Sequence, residues 1–322
     1  MNIKLGIEID GGDFSSRENL PTVIEFAKNN KDTIIYVFSK DNLEKHINQK
    51  NINFVKCENQ IDEDDSILTI RKKKNSSMIK MINYLKEGKI DSALSAGNSG
   101  TLFASSTTIL GSIEKGIRPA FTPLITNVKT NEKMIILDGG ANIENSSEDI
   151  YWYAKLGSAV IRNYAKKEPK VGLLNNGTEN KKGNKEHQEF FTKLIESQDI
   201  NFIGNIEPRN LLTSEANVLV TDGWSGNMII KSYEGMAKSM LHVLKKEFKK
   251  NLKFKLAALI LKPAFKNTNK YFDYREYGAS LVLGVNGIVL KMHGESDKLA
   301  FKNALSYSKE LVKSDFLNSI KL

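Results

Sequence analysis

A chain of 322 residues has room for one large α/β domain or about two average ones, at roughly 150 residues each, and can bury a core without covalent staples. With 40% hydrophobic and 26% charged residues it has the composition of a globular protein rather than a long disordered one. A single cysteine, Cys57, excludes an internal disulfide framework and a cysteine-cluster zinc site, and the net charge of +9 favours acidic partners: phosphate compounds, anionic lipid, acidic proteins or nucleic acid.

Residues 1–6 lack the charged start and long apolar block of a signal peptide. The longest apolar run of the C-terminal half, 256–261, falls far short of the ~20 residues that span a bilayer. With the lone thiol, this makes a cytoplasmic location the expectation. Strand patterns are expected at 3–9, 33–38, 52–55, 91–94, 133–137, 170–174, 200–203 and 218–221. Helical patterns lie between them at 18–28, 76–87, 99–110, 149–166, 185–197 and 226–248, and a β-hairpin is expected within 276–292. Alternating strands and helices predict a three-layer α/β/α sandwich with a largely parallel sheet, read as one domain over 1–322. In such a sheet ligands bind beyond the carboxyl ends of the strands, so the loops there carry the functional argument.

The first such loop is Asp10-Gly11-Gly12-Asp13, a plain turn or a close backbone approach to a ligand; it is not GxGxxG. Next comes Ser95-Ala96-Gly97-Asn98-Ser99-Gly100-Thr101, opening a helix. Small residues, hydroxyls and a helix N-terminus suit phosphate, and equally suit a well-capped helix; the Lys-Ser/Thr ending of an ATP loop is missing. In Gly116-Ile117-Arg118-Pro119 a buried or half-buried Arg118 needs an anion, either an internal carboxylate or phosphate. Further strand-end loops hold Asp138 to Asn142, Asn175 to Glu179 continuing to Lys182, Asp222 to Asn227, and His293-Gly294-Glu295-Ser296. Several Gly/Asn/Asp loops at successive strand ends point to a shared ligand pocket. His46, His187 and His242 fall in helical patterns and read as surface residues, and no pair of histidines has metal-ligand spacing.

These loops, in this order, resemble the bacterial acyl-ACP:phosphate acyltransferase (PlsX) family along nearly the whole chain. The resemblance is carried by Ser95–Gly100 (the family's SAGNTG), 116–120, 137–142, 171–184, 202–209, 218–235 and 277–294. The family's DAMGGD reads here Glu8-Ile9-Asp10-Gly11-Gly12-Asp13, its GNxEGRD reads Gly204-Asn205-Ile206-Glu207-Pro208-Arg209-Asn210, its DGFTGN has Trp224 and Ser225, and its GGAPLLG reads Gly278-Ala279-Ser280-Leu281-Val282-Leu283-Gly284. The resemblance implies a fold similar to the isocitrate/isopropylmalate dehydrogenase-like sandwich. It implies transfer of a fatty acyl group from acyl carrier protein to inorganic phosphate for phospholipid synthesis, without metal or organic cofactor. It also implies a homodimer that attaches peripherally to membrane and hands its product to a glycerol-phosphate acyltransferase. A phosphate acetyl- or butyryltransferase using acyl-CoA is the alternative, and a nucleic-acid partner is not expected.

On that reading Ser95, Gly97, Asn98, Ser99, Gly100 and Arg118 hold phosphate. His293 stabilises the oxyanion or protonates the leaving sulfur, Lys182 adds positive charge, and Asp222 and Asn227 orient the site. Gly11, Gly12, Asp13, Asp138, Asn142, Asn175 and Glu179 belong to the surrounding loops. A basic amphipathic segment near 240–270 has Leu244, Phe248, Leu252, Leu256 and Ile260 recurring every fourth residue among lysines such as Lys249 and Lys253. It is read as projecting from the domain and packing on core or dimer mate, lying on an anionic membrane, or docking the acidic carrier protein.

Overall fold

The computed structural model describes residues 2–65 and 68–320. The chain divides into two compact units: unit 1 comprises Met1–Pro123, Lys155–Glu168 and Arg275–Leu322, and unit 2 comprises Leu124–Ala154 and Pro169–Tyr274. Unit 1 begins with β1 (Ile3–Glu8), α1 (Ser16–Asn29), β2 (Thr33–Ser39), β3 (Ile52–Lys56), α2 (Thr69–Lys72), α3 (Ser77–Lys86), β4 (Ser92–Ser95), α4 (Ser99–Leu110) and β5 (Ala120–Thr122). Next come β6 (Leu124–Thr126), β7 (Lys133–Leu137), α5 (Ser147–Val160), β8 (Val171–Leu174), α6 (Lys185–Glu196), β9 (Phe202–Ile206), β10 (Val218–Val220), α7 (Gly223–Phe248) and α8 (Leu252–Asn269). The chain crosses back into unit 1 for the second half of α5, from Lys155, and returns to it finally as β11 (Ala279–Leu283), β12 (Ile288–Met292), α9 (Lys298–Lys313) and α10 (Phe316–Ser319).

The sheet of unit 1 runs β3-β2-β1-β4-β12-β11-β5, parallel from β3 to β12 and antiparallel beyond. Its central strands are short apolar runs buried on both sides, as a parallel sheet covered by helices requires: Leu5, Ile7, Ala93, Leu94, Val289 and Leu290 are fully buried. Met78, Met81 and Ile82 of α3 and Leu102 of α4 pack with Ala93 and Val289. α9 lies against β1, β4 and β12 and beside α1, turning Ala300, Phe301, Ala304, Leu305, Ser308 and Leu311 inward at helical spacing. Each large apolar side chain so buried contributes roughly 1.5–3 kcal/mol.

The sheet of unit 2 runs β6-β7-β10-β8-β9, parallel except for edge strand β6. Met134, Ile136 and Leu219 form a core with Ile229, Ile230 and Tyr233 from the first half of α7. The largely parallel sheet expected over a single 1–322 domain is thus distributed over two sheets, one per unit. The expected strands and helices occur within a few residues of their places, and the expected hairpin is β11–β12, with Leu281 opposite Leu290. β5, β6, α2, α9 and α10 are additional.

The basic segment differs from its reading. Its four-residue stripe does not lie on one helix: α7 ends at Phe248, and Asn251 starts α8 by accepting the Phe254 N–H at 2.8 Å. The two helices meet at Phe248 and Phe265, whose ring centroids are 5.2 Å apart. Leu252, Leu256, Leu259 and Ile260 are all more than half exposed. No helix among the described residues is long and apolar enough to cross a membrane.

Candidate active site

In unit 1, β1 and β4 are parallel neighbours with Glu8 level with Ser95, so the loops that follow them leave the sheet side by side. Gly11 and Gly97 are the point of contact: a Cβ on Gly11 would collide with the Gly97 backbone, so this approach requires glycine. The 293–296 loop joins them, because β12 is the next strand and the Asp13 N–H donates to the Gly294 carbonyl at 3.0 Å.

Beneath the first two loops is a carboxyl that sequence reasoning did not assign. Glu8 is 2% exposed. Its Oε2 accepts from Ser95 Oγ at 2.7 Å, and its Oε1 accepts from Ser77 Oγ at 3.2 Å and the Asp10 N–H at 3.0 Å. Burial, and then the neighbouring Asp10, push Glu8 up to about 7. Asp10, raised by its own burial, accepts from Ser39 Oγ and the Lys40 N–H. Ser95 Oγ in turn accepts from the Gly97 N–H at 3.0 Å.

The remaining phosphate candidates divide. Asn98 caps α4 through the Thr101 N–H at 2.8 Å and donates to the Glu63 carbonyl at 2.6 Å, so its side chain is committed to the scaffold. Ser99 and Gly100 are exposed in the first turn of α4, which carries no acidic residue to offset its positive end. The hydroxyls of Ser76, Thr101 and Ser296 are buried and have no hydrogen-bond partner among the described residues. Lys291, also unassigned from sequence, donates from Nζ to the Ala96 carbonyl at 3.0 Å and to the Met292 carbonyl. Arg118, expected to be buried or half-buried, is exposed. His293 is half-buried, and its Nδ1 accepts the Glu295 N–H at 3.2 Å, which puts the proton of a neutral ring on Nε2.

In unit 2, Asp138 is fully buried and gathers its own loop. Its carboxylate accepts from the Gly140, Ala141 and Asn142 N–H groups and from Asn142 Nδ2, all within 2.8–2.9 Å. Burial raises the Asp138 carboxyl and these donors oppose the rise. Asp138 and Asn142 therefore shape the loop. The start of α7 presses against it: a Cβ on Gly226 would collide with the Asp138 carbonyl, and Asn227 lies over Gly140.

Asp222 caps α7 through Oδ1, 2.8 Å from the Ser225 nitrogen. Its Oδ2 lies 3.6 Å from Nε2 of His187, and the two side chains are 13% and 14% exposed. His187 is therefore no surface residue: its Nδ1 is 2.9 Å from Asn184 Oδ1, at the start of α6. Asn175 donates to the Lys182 carbonyl and to Asn205 Oδ1, both at 3.1 Å, and fixes the intervening loop. Lys182 Nζ is half-exposed and 3.8 Å from Glu179 Oε1, a pairing water keeps weak. Asn175, Lys182, His187 and Asp222 thus form one contiguous group, reached through Gly183. Among the described residues, no group of three or more His, Cys, Asp or Glu is placed to hold a metal ion.

A family model described as fatty acid synthesis protein matches residues 3–319. The chain is 36% identical to a phosphate acyltransferase of Clostridium tetani, over 99% of this chain and 97% of that protein. It is 39% identical to one of Staphylococcus haemolyticus, over 95% and 94%. Among solved structures, a phosphotransacetylase from Streptococcus pyogenes matches with a TM-score of 0.59 and 16% identity, covering 97% of this chain and 94% of that one. A 4-hydroxythreonine-4-phosphate dehydrogenase from Klebsiella pneumoniae matches with a TM-score of 0.54 and 8% identity, covering 97% and 100%. These two likenesses establish the expected dehydrogenase-like α/β fold.

Proposed function

The chain belongs to the fatty acid synthesis protein family, the acyl-ACP:phosphate acyltransferase (PlsX) family that its loops resemble, and on that premise we propose that it transfers a fatty acyl group from acyl carrier protein to inorganic phosphate. The products are acyl phosphate, for phospholipid synthesis, and free carrier protein. The observation that carries the reading is the near-full-length similarity to phosphate acyltransferases. The exposed first turn of α4 agrees with it, since its N–H donors and positive helix end, with no acidic residue in that turn, suit an oxyanion.

A phosphate oxygen attacks the thioester carbonyl, the new C–O bond forms, and the C–S bond breaks through a tetrahedral oxyanion. Phosphate is an anionic nucleophile near neutral pH and the leaving thiol has a pKa of roughly 8.5, so the protein supplies positioning and charge rather than covalent chemistry. The Ser99 and Gly100 N–H groups and Arg118 hold phosphate. His293 donates from Nε2 to the oxyanion or the departing sulfur. For unit 2, the roles are positive charge from Lys182 and orientation of their own loops by Asp222 and Asn227.

The test incubates purified protein with acyl-ACP, with and without phosphate, and follows free carrier thiol and acyl phosphate. Phosphate-dependent release from acyl-ACP is expected. Turnover confined to short acyl-CoA would replace this reading by a phosphate acetyl- or butyryltransferase. Arg118→Ala should raise KM for phosphate about tenfold with the fold intact, the scale of one lost charge-assisted hydrogen bond. An unchanged KM removes Arg118 from the site.

The protein works as a homodimer attached peripherally to anionic membrane, with acyl carrier protein as its acyl donor. The exposed Leu256 and Ile260, flanked by Lys249, Lys253 and Lys255, support α8 as the attachment. Leu256→Glu with Ile260→Glu should release the protein from anionic vesicles in a flotation assay. Unchanged flotation would leave α8 to the dimer mate or the carrier protein.

A further inference from the structure

Glu8 is costly to bury and takes no part in the chemistry above, yet it is the best-connected side chain under the anion loop. Four features locate its action. Its carboxyl lies against both Gly11 and Gly97, with Oε2 2.9 Å from where a Gly11 Cβ would sit. Ser95 Oγ stands between Glu8 and the Gly97 N–H, donating to the first and accepting from the second. The next charged side chain is another carboxylate, Asp10. The loop it supports opens α4, whose first turn offers N–H groups to an anion.

We propose that Glu8 is a positioning residue for the anion loop: its carboxyl sets the direction of the Ser95 hydroxyl and takes up a proton when an oxyanion settles on Ser95–Gly100. This rests on the phosphate-acyltransferase reading of that loop. With Glu8 ionised, the Ser95 O–H is spent on it. With Glu8 protonated, the carboxyl O–H donates to Ser95 Oγ instead, the Ser95 proton turns toward the loop, and the negative charge opposing the incoming oxyanion is gone. The two events assist each other, so oxyanion affinity falls as pH rises through the Glu8 transition near 7.

The groups facing this pair are few. Asp41 faces Asp10 from the end of β2. Cys57, beyond β3, is raised to about 11 by burial and is neutral, with Lys80 of α3 beside it. Ser77 of α3 and Ser39 are neutral donors. Lys291 of β12 donates to the Ala96 carbonyl of the loop.

Sulfate is the probe, because it stays a dianion across the neutral range whereas phosphate itself titrates there. Calorimetry in two buffers of different ionisation enthalpy reads proton uptake on sulfate binding, and competition against phosphate reads its affinity. Wild type should take up a fraction of a proton near pH 7, and its sulfate affinity should fall about tenfold per pH unit above that. In Glu8→Gln the uptake should vanish and affinity become flat with pH. In Asp10→Asn, which removes the neighbouring charge but keeps the shape, the midpoint should move to lower pH. Sulfate that binds wild type without proton uptake, or an Asp10→Asn midpoint that stays put, overturns the proposal alone. Failure of both sulfate and phosphate to bind wild type sinks the underlying reading of the loop.

Discussion

Asp222→Asn should lower kcat by about 100-fold or more while moving Tm by no more than a few degrees. Asp222 does two things, and this substitution separates them. Its Oδ1 caps α7, and asparagine is as good an N-cap as aspartate, so the helix start and the packing of Gly226 on the Asp138 loop survive. Its Oδ2 carries the charge that faces His187, within the group that contains Lys182, and that charge is lost. Preorganised charges and donors of this kind contribute ~10²–10³ to turnover when removed singly. Stopped turnover with an unshifted Tm assigns Asp222 to the chemistry. Full kcat in the variant would reduce it to a helix cap.

The loops were legible in the sequence because their residues carry the turn and cap chemistry in themselves. Asn98, Asn184 and Asp222 all accept N–H groups of the helices they precede. What the sequence hid is what only folding brings together. Glu8 reads as a polar residue ending a strand; its partners Ser77 and Ser95 lie 69 and 87 positions away. His187 looks like one more polar residue on a helix until β10 delivers Asp222 beside it. Arg118 shows the converse error: proline and glycine mark the turn correctly, but they do not say whether its side chain is covered. The break at Asn251 was present as an N-cap residue, yet the four-residue apolar recurrence runs through it unchanged, since periodicity records spacing and not continuity of the helix. β5 and β6 are three residues each, too short for alternation to declare them.

The stability of the protein should fall as pH rises from about 5 to about 7 and level off above, and Glu8→Gln should remove most of that slope. A carboxyl raised to about 7 in the fold holds its proton in the native state after the unfolded chain, near its ordinary value of 4.5, has released it. Across that window the native state binds more protons than the unfolded one, so raising pH favours unfolding. At about 1.4 kcal/mol per unit, the wild type should lose on the order of 3 kcal/mol relative to Glu8→Gln between pH 5 and 8. Asp138, raised by burial, acts with the same sign and persists in the variant, so it cancels between the two curves, whereas Asp10 is coupled to Glu8 and the difference reads that pair. Carboxylates lowered by lysines or serines, such as the exposed Asp32 and Glu18 and the half-buried Asp65, do their titrating at lower pH and leave this window clear. Chemical denaturation of both proteins at several pH values measures it. Parallel curves would mean that the Glu8 proton leaves before neutrality and that its burial has no bearing on the loop above. A diverging pair would mean that the chain retains, under its anion loop, a charge that costs stability at neutral pH, which selection for stability alone would have replaced.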